Sequence, residues 1–208
     1  MMPQERPQAP DFLTQETTTL RWGKIENQEK WGLQYQAKLN HPNKKNDFQW
    51  ATYQGKRVNS LLAPLLRKIT NNHCSFCDIF PLQQSGGTIE HFRPKKQFPL
   101  LSHVWENLFY CCHRCQEKGE RFDGTLLKAD EIDYQFDTFF ICRTNNKRIF
   151  IQANPRANTT NQERAQTTID LYGLNKFERP EARWLTLVQF QDCNNPIVED
   201  FSYRFLFL

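Results

Sequence analysis

The chain has 208 residues, with 27 Lys and Arg against 23 Asp and Glu and a formal net charge of +4, a balance that permits a nucleic-acid partner without demanding one. Hydrophobic residues make up 38%, but 17 Phe, 6 Tyr and 5 Trp are enough large anchors for a packed core and argue against global disorder. The start, Met1-Met2-Pro3-Gln4-Glu5-Arg6-Pro7, lacks an apolar signal core, and Leu61-Leu62-Ala63-Pro64-Leu65-Leu66 is far below bilayer length, so the expectation is a cytoplasmic, soluble protein with no membrane association.

Residues 1–10 are rich in Pro and Gln and read as a segment that is mobile until docked. A polar stretch punctuated by Trp22, Trp31, Tyr35, Trp50 and Tyr53 follows, interrupted by a loop signal over residues 39–46. Its spaced aromatics suit either helices packed on the core or a surface that docks a partner. Val58 to Ile69 reads as a helix capped by Asn59 or Ser60, with Leu61, Leu62, Leu65, Leu66 and Ile69 on one face and Pro64 in its first turns.

Two Cys-x-x-Cys pairs then dominate: Cys74-Ser75-Phe76-Cys77 and Cys112-His113-Arg114-Cys115. Zinc prefers a tetrahedron of four ligands, and this spacing brings two thiolates to one ion from a tight turn. The chain has 7 cysteines, an odd number, which in a reducing compartment favours metal over disulfides. A redox dithiol needs only one pair in a thioredoxin-like context, which is missing, and chance core cysteines are the other alternative. Cys111 would replace Cys112 only by breaking the spacing, so it reads as a strand residue facing the core. Cys142 and Cys193 read as buried or inert thiols.

Between the pairs, Thr88 to Phe92 reads as a short strand set between Gly86-Gly87 and Pro94, and Leu108 to Cys111 as a second. A helix is expected from Cys112 to about Arg121. Beyond it the chain reads as mainly helical. One helix spans Asn161 to Tyr172, capped by Asn161 and stopped at Gly173, and another opens at Glu178-Arg179-Pro180-Glu181. The apolar end, Phe201 to Leu208, either packs back on the core or docks on a partner. The working division is residues 1–57, 58–125 and 126–208.

Glu90-His91, Asn107, Cys112/Cys115 and Gln116, taken together, resemble the HNH, or ββα-metal, nuclease superfamily. The run Ile89-Glu90-His91-Phe92-Arg93-Pro94-Lys95 with Trp105-x-Asn107-Leu108 looks closer still to the PtuB-like nuclease subunits of Septu-type anti-phage systems, including retron-associated ones. The resemblance implies an α+β fold with a ββα-metal nuclease core, a four-cysteine structural Zn2+ site, and mostly helical extensions. It implies phosphodiester hydrolysis with His91 as general base and Asn107 bonding across the loop to hold the imidazole. Mg2+ or Mn2+ would be held by Glu90 and Gln116, with a 5′-phosphate and a 3′-hydroxyl as products. Where the family has His or Asn, this chain has Gln116, and His113 is an alternative ligand. Arg93, Lys95, Lys96, Arg114, Lys118 and Arg121 would meet backbone phosphates, or form a solvated basic face. His41, His73 and His103 read as structural or exposed. The implied partners are nucleic acid, DNA before RNA or tRNA, and an ABC/SMC-like ATPase subunit of the PtuA type, with a retron reverse transcriptase and its msDNA in the retron-linked branch. The rival reading is a noncatalytic zinc module that binds nucleic acid or a partner.

Overall fold

The computed structural model describes residues 1–41, 47–82 and 86–207. Most of the loop expected at 39–46, and the last residue of the apolar end, therefore lie outside the described residues. The architecture is mixed α+β, built from four separate two-stranded antiparallel sheets and the helices around them, among the described residues.

The N-terminal extension is more mixed than the helical reading allowed. Helix α1 (Asp11–Thr14) leads into the hairpin β1 (Glu16–Thr19) and β2 (Gly23–Glu26), then α2 (Asn27–Leu39) and a short hairpin of β3 (Thr52–Tyr53) and β4 (Lys56–Arg57). Threonines at Thr17, Thr18 and Thr19 favour an extended backbone, which explains β1 after the fact. The first ten residues are docked. Gln4 N–H donates to the Ala129 carbonyl at 2.8 Å, and the Arg6 guanidinium pairs with Asp130 at 2.5 Å and bonds the Trp105 carbonyl at 2.9 Å.

Helix α3 runs Val58–Ile69 and buries Val58, Leu62 and Leu66 at four-residue spacing against the central hairpin. Neither expected cap holds. Arg57 is the cap residue, with no side-chain bond, while the Ser60 hydroxyl donates back to the Arg57 carbonyl at 2.6 Å. Pro64 falls inside the helix, where its missing N–H leaves a carbonyl one turn back without an intrahelical partner.

The central hairpin pairs β5 (Thr88–His91) with β6 (Leu108–Cys111) in the register Thr88 with Cys111 through His91 with Leu108. All of β6 is buried, which is why it reads as a continuous apolar run without alternation. The helix expected from Cys112 to Arg121 is shorter: α4 covers His113–Gln116 and gives way to turns, with Gly119 at φ +60°.

The C-terminal region holds a hairpin that the helical reading missed. After α5 (Phe136–Phe139), β7 (Phe140–Asn145) and β8 (Arg148–Ala153) are joined by Asn146-Lys147, both at positive φ as the two-residue hairpin turn requires. Helices α6 (Thr159–Leu171) and α7 (Arg179–Asp192) pack on β8. Helix α6 is capped by Asn158, whose side chain accepts from the Asn161 N–H at 2.8 Å, and it ends before Gly173 at φ +56°. The apolar end packs back on the core: Tyr203 and Phe205 are buried, and Phe207 stacks on Phe190 at 3.8 Å.

Candidate active site beside a four-cysteine centre

Cys74 and Cys77 approach Cys112 and Cys115 because the first knuckle hydrogen-bonds to the end of β6. The Ser75 N–H donates to the Tyr110 carbonyl at 2.9 Å, and the Cys112 N–H to the Cys74 sulfur at 3.4 Å. All four Sγ atoms lie within 4.8 Å of one another and all four residues are buried. The Cys77 and Cys112 sulfurs are 3.6 Å apart, far beyond a disulfide bond. A tetrahedral zinc with Zn–S of about 2.3 Å sets its sulfurs roughly 3.8 Å apart, so the residues fit a structural Zn2+. Hydrogen bonds from neighbouring thiols hold Cys77 and Cys112 below the usual thiol range, while burial pushes Cys74 and Cys115 well above it. Cys111 is buried in β6 beside them, whereas Cys142 and Cys193 are exposed.

Arg179, at the start of α7, was not picked out from sequence as a site residue. Its guanidinium lies 3.3 Å from the Cys115 sulfur and 3.8 Å from that of Cys112, and it bonds the Tyr172 and Gly173 carbonyls at 2.7 Å. The neighbouring thiols outweigh burial in setting its pKa direction, which is upward. The chain end closes the other knuckle: Arg204 pairs with Asp78 at 2.6 Å, and His73 Nε2 bonds the Phe201 carbonyl at 3.0 Å.

His91 ends β5 and is 5% exposed. Its Nε2 lies 2.9 Å from the Ser102 carbonyl, which can only accept, so Nε2 carries the proton and Nδ1 the lone pair. Burial, then the charge of Lys95, pushes its pKa down to about 3, so the imidazole is neutral at pH 7. Trp50 stacks on the ring at 5.3 Å and 21°, and Phe48 meets it edge-on at 5.3 Å. Both rings come from the segment between α2 and β3. A cavity of about 240 Å3 is lined by His91, Lys95, Gln116, Thr88, Trp50 and Asn59, among others. Asn59 Oδ1 is buried there without a hydrogen bond.

Asn107 holds the loop between the two strands. Its amide donates to the Arg93 and Leu101 carbonyls, both at 3.0 Å, and its Oδ1 accepts from the Arg93 N–H at 2.8 Å. These bonds go to the loop backbone and not to the imidazole. It fixes Leu101, and the next residue supplies the carbonyl that His91 bonds. From the outside, α2 lies against the same loop, and a Cβ at Gly32 would stand 2.5 Å from the Leu101 neighbour Leu100 at its carbonyl oxygen. His103 is buried, donating to the Ser102 hydroxyl through Nδ1 at 3.0 Å and accepting from the Ala51 N–H at 3.3 Å.

Glu90 is placed differently from the sequence expectation. Its carboxylate lies 2.9 Å from the ammonium of Lys118, with the two side chains 7% and 0% exposed. That ammonium also sits 3.3–3.5 Å from the His91, Phe92, Gly119 and Arg121 carbonyls. Burial raises the Glu90 carboxyl to about 7 against the pull of Lys118. Gln116 donates to the Thr88 hydroxyl at 3.2 Å. Among the described residues, the four cysteines are the one group of three or more His, Cys, Asp or Glu that could hold a metal ion. With its carboxylate already neutralised, the Glu90 site as arranged does not fit Mg2+ or Mn2+.

Lys118 is likewise no phosphate contact, because it is fully withdrawn from water. Arg93 and Lys96 are exposed and Lys95 is half-buried at the His91 cavity. Arg114 lies apart from that cavity, over Phe177 at 4.2 Å and 3.3 Å from Glu117. Arg121 bonds the Glu117 and Leu171 carbonyls at 3.2 Å. His113 is exposed beside the cysteine centre, in a different cavity from that of His91.

No family model matches the chain. Over 91 residues it is 29% identical to the Septu protein PtuB of Bacillus mycoides strain KBAB4. The chain is similar to a Septu protein. The shared stretch covers 38% of this chain and 30% of that relative, so it spans less than a third of the PtuB length. No helix among the described residues is long and apolar enough to cross a membrane.

Proposed function

We propose that this chain is a nuclease subunit of a Septu-type defence assembly, hydrolysing phosphodiester bonds with His91 as general base. The observation that carries the reading is the His91 imidazole. It is buried, neutral and tautomerically fixed, and it borders a small cavity that also holds a cation, Lys95. The hairpin of β5 and β6 followed by α4 at the second knuckle suits the ββα-metal resemblance, and the likeness to PtuB supports the defence setting.

In this mechanism a scissile phosphate occupies the cavity beside Lys95. His91 Nδ1 takes a proton from water while its Nε2–H stays on the Ser102 carbonyl. The water oxygen bonds to phosphorus as the bond from phosphorus to the 3′ oxygen breaks; the 3′ oxygen takes a proton from solvent water, and His91 then returns its own proton to solvent. The phosphate's negative charge lifts the depressed imidazole pKa toward the working range. Asn107 acts as a positioning residue through the loop. The zinc centre, when loaded, supplies structure: it fixes the first knuckle to the end of β6.

DNA is the proposed substrate, on the wider resemblance, and tRNA is the alternative. The proposed partner is a PtuA-like ATPase; a retron reverse transcriptase with its msDNA belongs to the same reading. A second reading, a noncatalytic zinc module, draws on the Glu90–Lys118 pair, which leaves the expected cation site filled by an ammonium. Incubating the purified chain and its ATPase partner with plasmid, single-stranded DNA and tRNA, with and without EDTA, separates the two. Cleavage lost on His91→Ala supports the nuclease. Absence of cleavage in every arm supports the binding module.

A further inference from the structure

Trp50 borders two cavities. One is the His91 cavity. The other, of about 330 Å3, is lined by Trp31, Tyr35 and Trp50, and by Lys38, Arg57 and His103. Trp50 stacks on His91 at 5.3 Å and meets His103 edge-on at 5.4 Å, so the two cavities stand about one ring apart. Nothing in the mechanism above uses the second one.

Its chemistry is specific. Tyr35 is 5% exposed, and its hydroxyl is buried without a hydrogen bond. A buried hydroxyl left unpaired is unfavourable, so this atom awaits a polar partner. Gln34 and Gln49 add two amides to the lining, which among the described residues includes no carboxylate, while the charges of Glu120 and Asp47 reach Tyr35 from outside it. Lys38 and Arg57 donate to the Asp47 and Trp50 carbonyls at 2.6 and 3.4 Å, which tethers the segment that carries Trp50. A ligand that fits has flat apolar faces for the rings, a polar edge for the hydroxyl and amides, and a nearby negative charge. A nucleobase on its sugar-phosphate has all three.

We propose that this second cavity takes one unpaired nucleobase of the strand whose phosphate lies against His91. The proposal rests on the nuclease reading and deepens it, because it assigns the substrate class. A base held in a duplex cannot enter such a recess without leaving its stack. The chain therefore favours single-stranded or locally opened nucleic acid over intact duplex.

The test uses the full-length chain carrying His91→Ala, so that the strand stays intact. Fluorescence polarisation measures its binding to labelled single-stranded 12-mer oligothymidylate, to an abasic 12-mer of equal charge, and to a 12-base-pair duplex. The expected result is affinity for the base-bearing strand about tenfold above both others, as stacked bases give. In the same background, Tyr35→Phe keeps the ring and should weaken binding of the base-bearing strand a few-fold while leaving the abasic strand unchanged. Equal binding of base-bearing and abasic strands, or preference for the duplex, overturns the base site alone. Failure to bind any of the three overturns the nuclease reading with it.

Discussion

Lys118 Nζ lies 2.9 Å from Glu90 Oε1, with neither side chain open to water. This pair joins β5 to the turns after α4, on the strand that also carries His91. It explains why a carboxylate next to the candidate base is not offered to a cation. An ammonium surrounded by four backbone carbonyls already balances it.

Removing one member of such a pair leaves the other charge buried and uncompensated, which destabilises by about 3–5 kcal/mol. Lys118→Met should lower stability by that order in urea melts, and adding Glu90→Gln should restore most of the loss. A phosphate-contact role for Lys118 predicts the opposite pattern: weaker nucleic-acid binding with unchanged stability.

Arg179 should set zinc retention. Four thiolates on one Zn2+ carry a net negative charge, and the guanidinium is 3.3 Å from one of the sulfurs. Arg179→Met should release zinc to a chromogenic chelator at least tenfold faster than wild type, with Arg179→Lys in between. Equal release from all three would show that the contact is packing alone.

His103 should make the fold acid-sensitive. Burial pushes its pKa from 6.5 to about 4. Between these values the unfolded chain binds the proton and the folded chain does not, so stability rises with pH by about 1.4 kcal/mol per unit. Stability of wild type minus that of His103→Gln should therefore grow by about 3 kcal/mol between pH 4 and 6.5. The difference isolates this histidine from His91, whose lowered pKa acts in the same direction, and from Glu90, whose raised pKa acts in the opposite one. A flat difference would remove His103 as the cause.

Asn107→Ala deletes three hydrogen bonds to the loop at once. Stability should fall by about 1–3 kcal/mol. In the proposed nuclease, kcat should fall more than KM changes, since His91 loses its orientation through Ser102 and not its substrate. Rescue by Asn107→Asp should be poor, because a carboxylate cannot donate to the two carbonyls.

The parts legible in sequence were those with a local physical signature. Leu62 and Leu66 announced α3 by helical spacing, Gly173 marked the end of α6, and two Cys-x-x-Cys pairs announced a metal centre whose sulfurs do converge. What stayed hidden depended on partners distant in sequence. Nothing about Lys118 marks it as buried; only the fold brings Glu90 to it. Arg179 meets the cysteines from 64 residues beyond Cys115. Trp50 reads in sequence only as one of several spaced aromatics and Phe48 carries no signal of its own; the segment between α2 and β3 lays both on His91. The β7–β8 hairpin did leave a trace, Asn145-Asn146 ahead of Arg148-Ile149-Phe150-Ile151, which is a turn signal followed by a strand-forming run.

The central claim is that the His91 imidazole performs the chemistry. The direct measurement is the rate of cleavage of end-labelled nucleic acid by the purified chain with its ATPase partner, for wild type and His91→Ala, with zinc content and melting temperature recorded alongside. The account predicts that His91→Ala lowers the rate by roughly 10²–10⁴-fold at unchanged zinc content. Cleavage at the wild-type rate by a folded, zinc-loaded His91→Ala chain would contradict it.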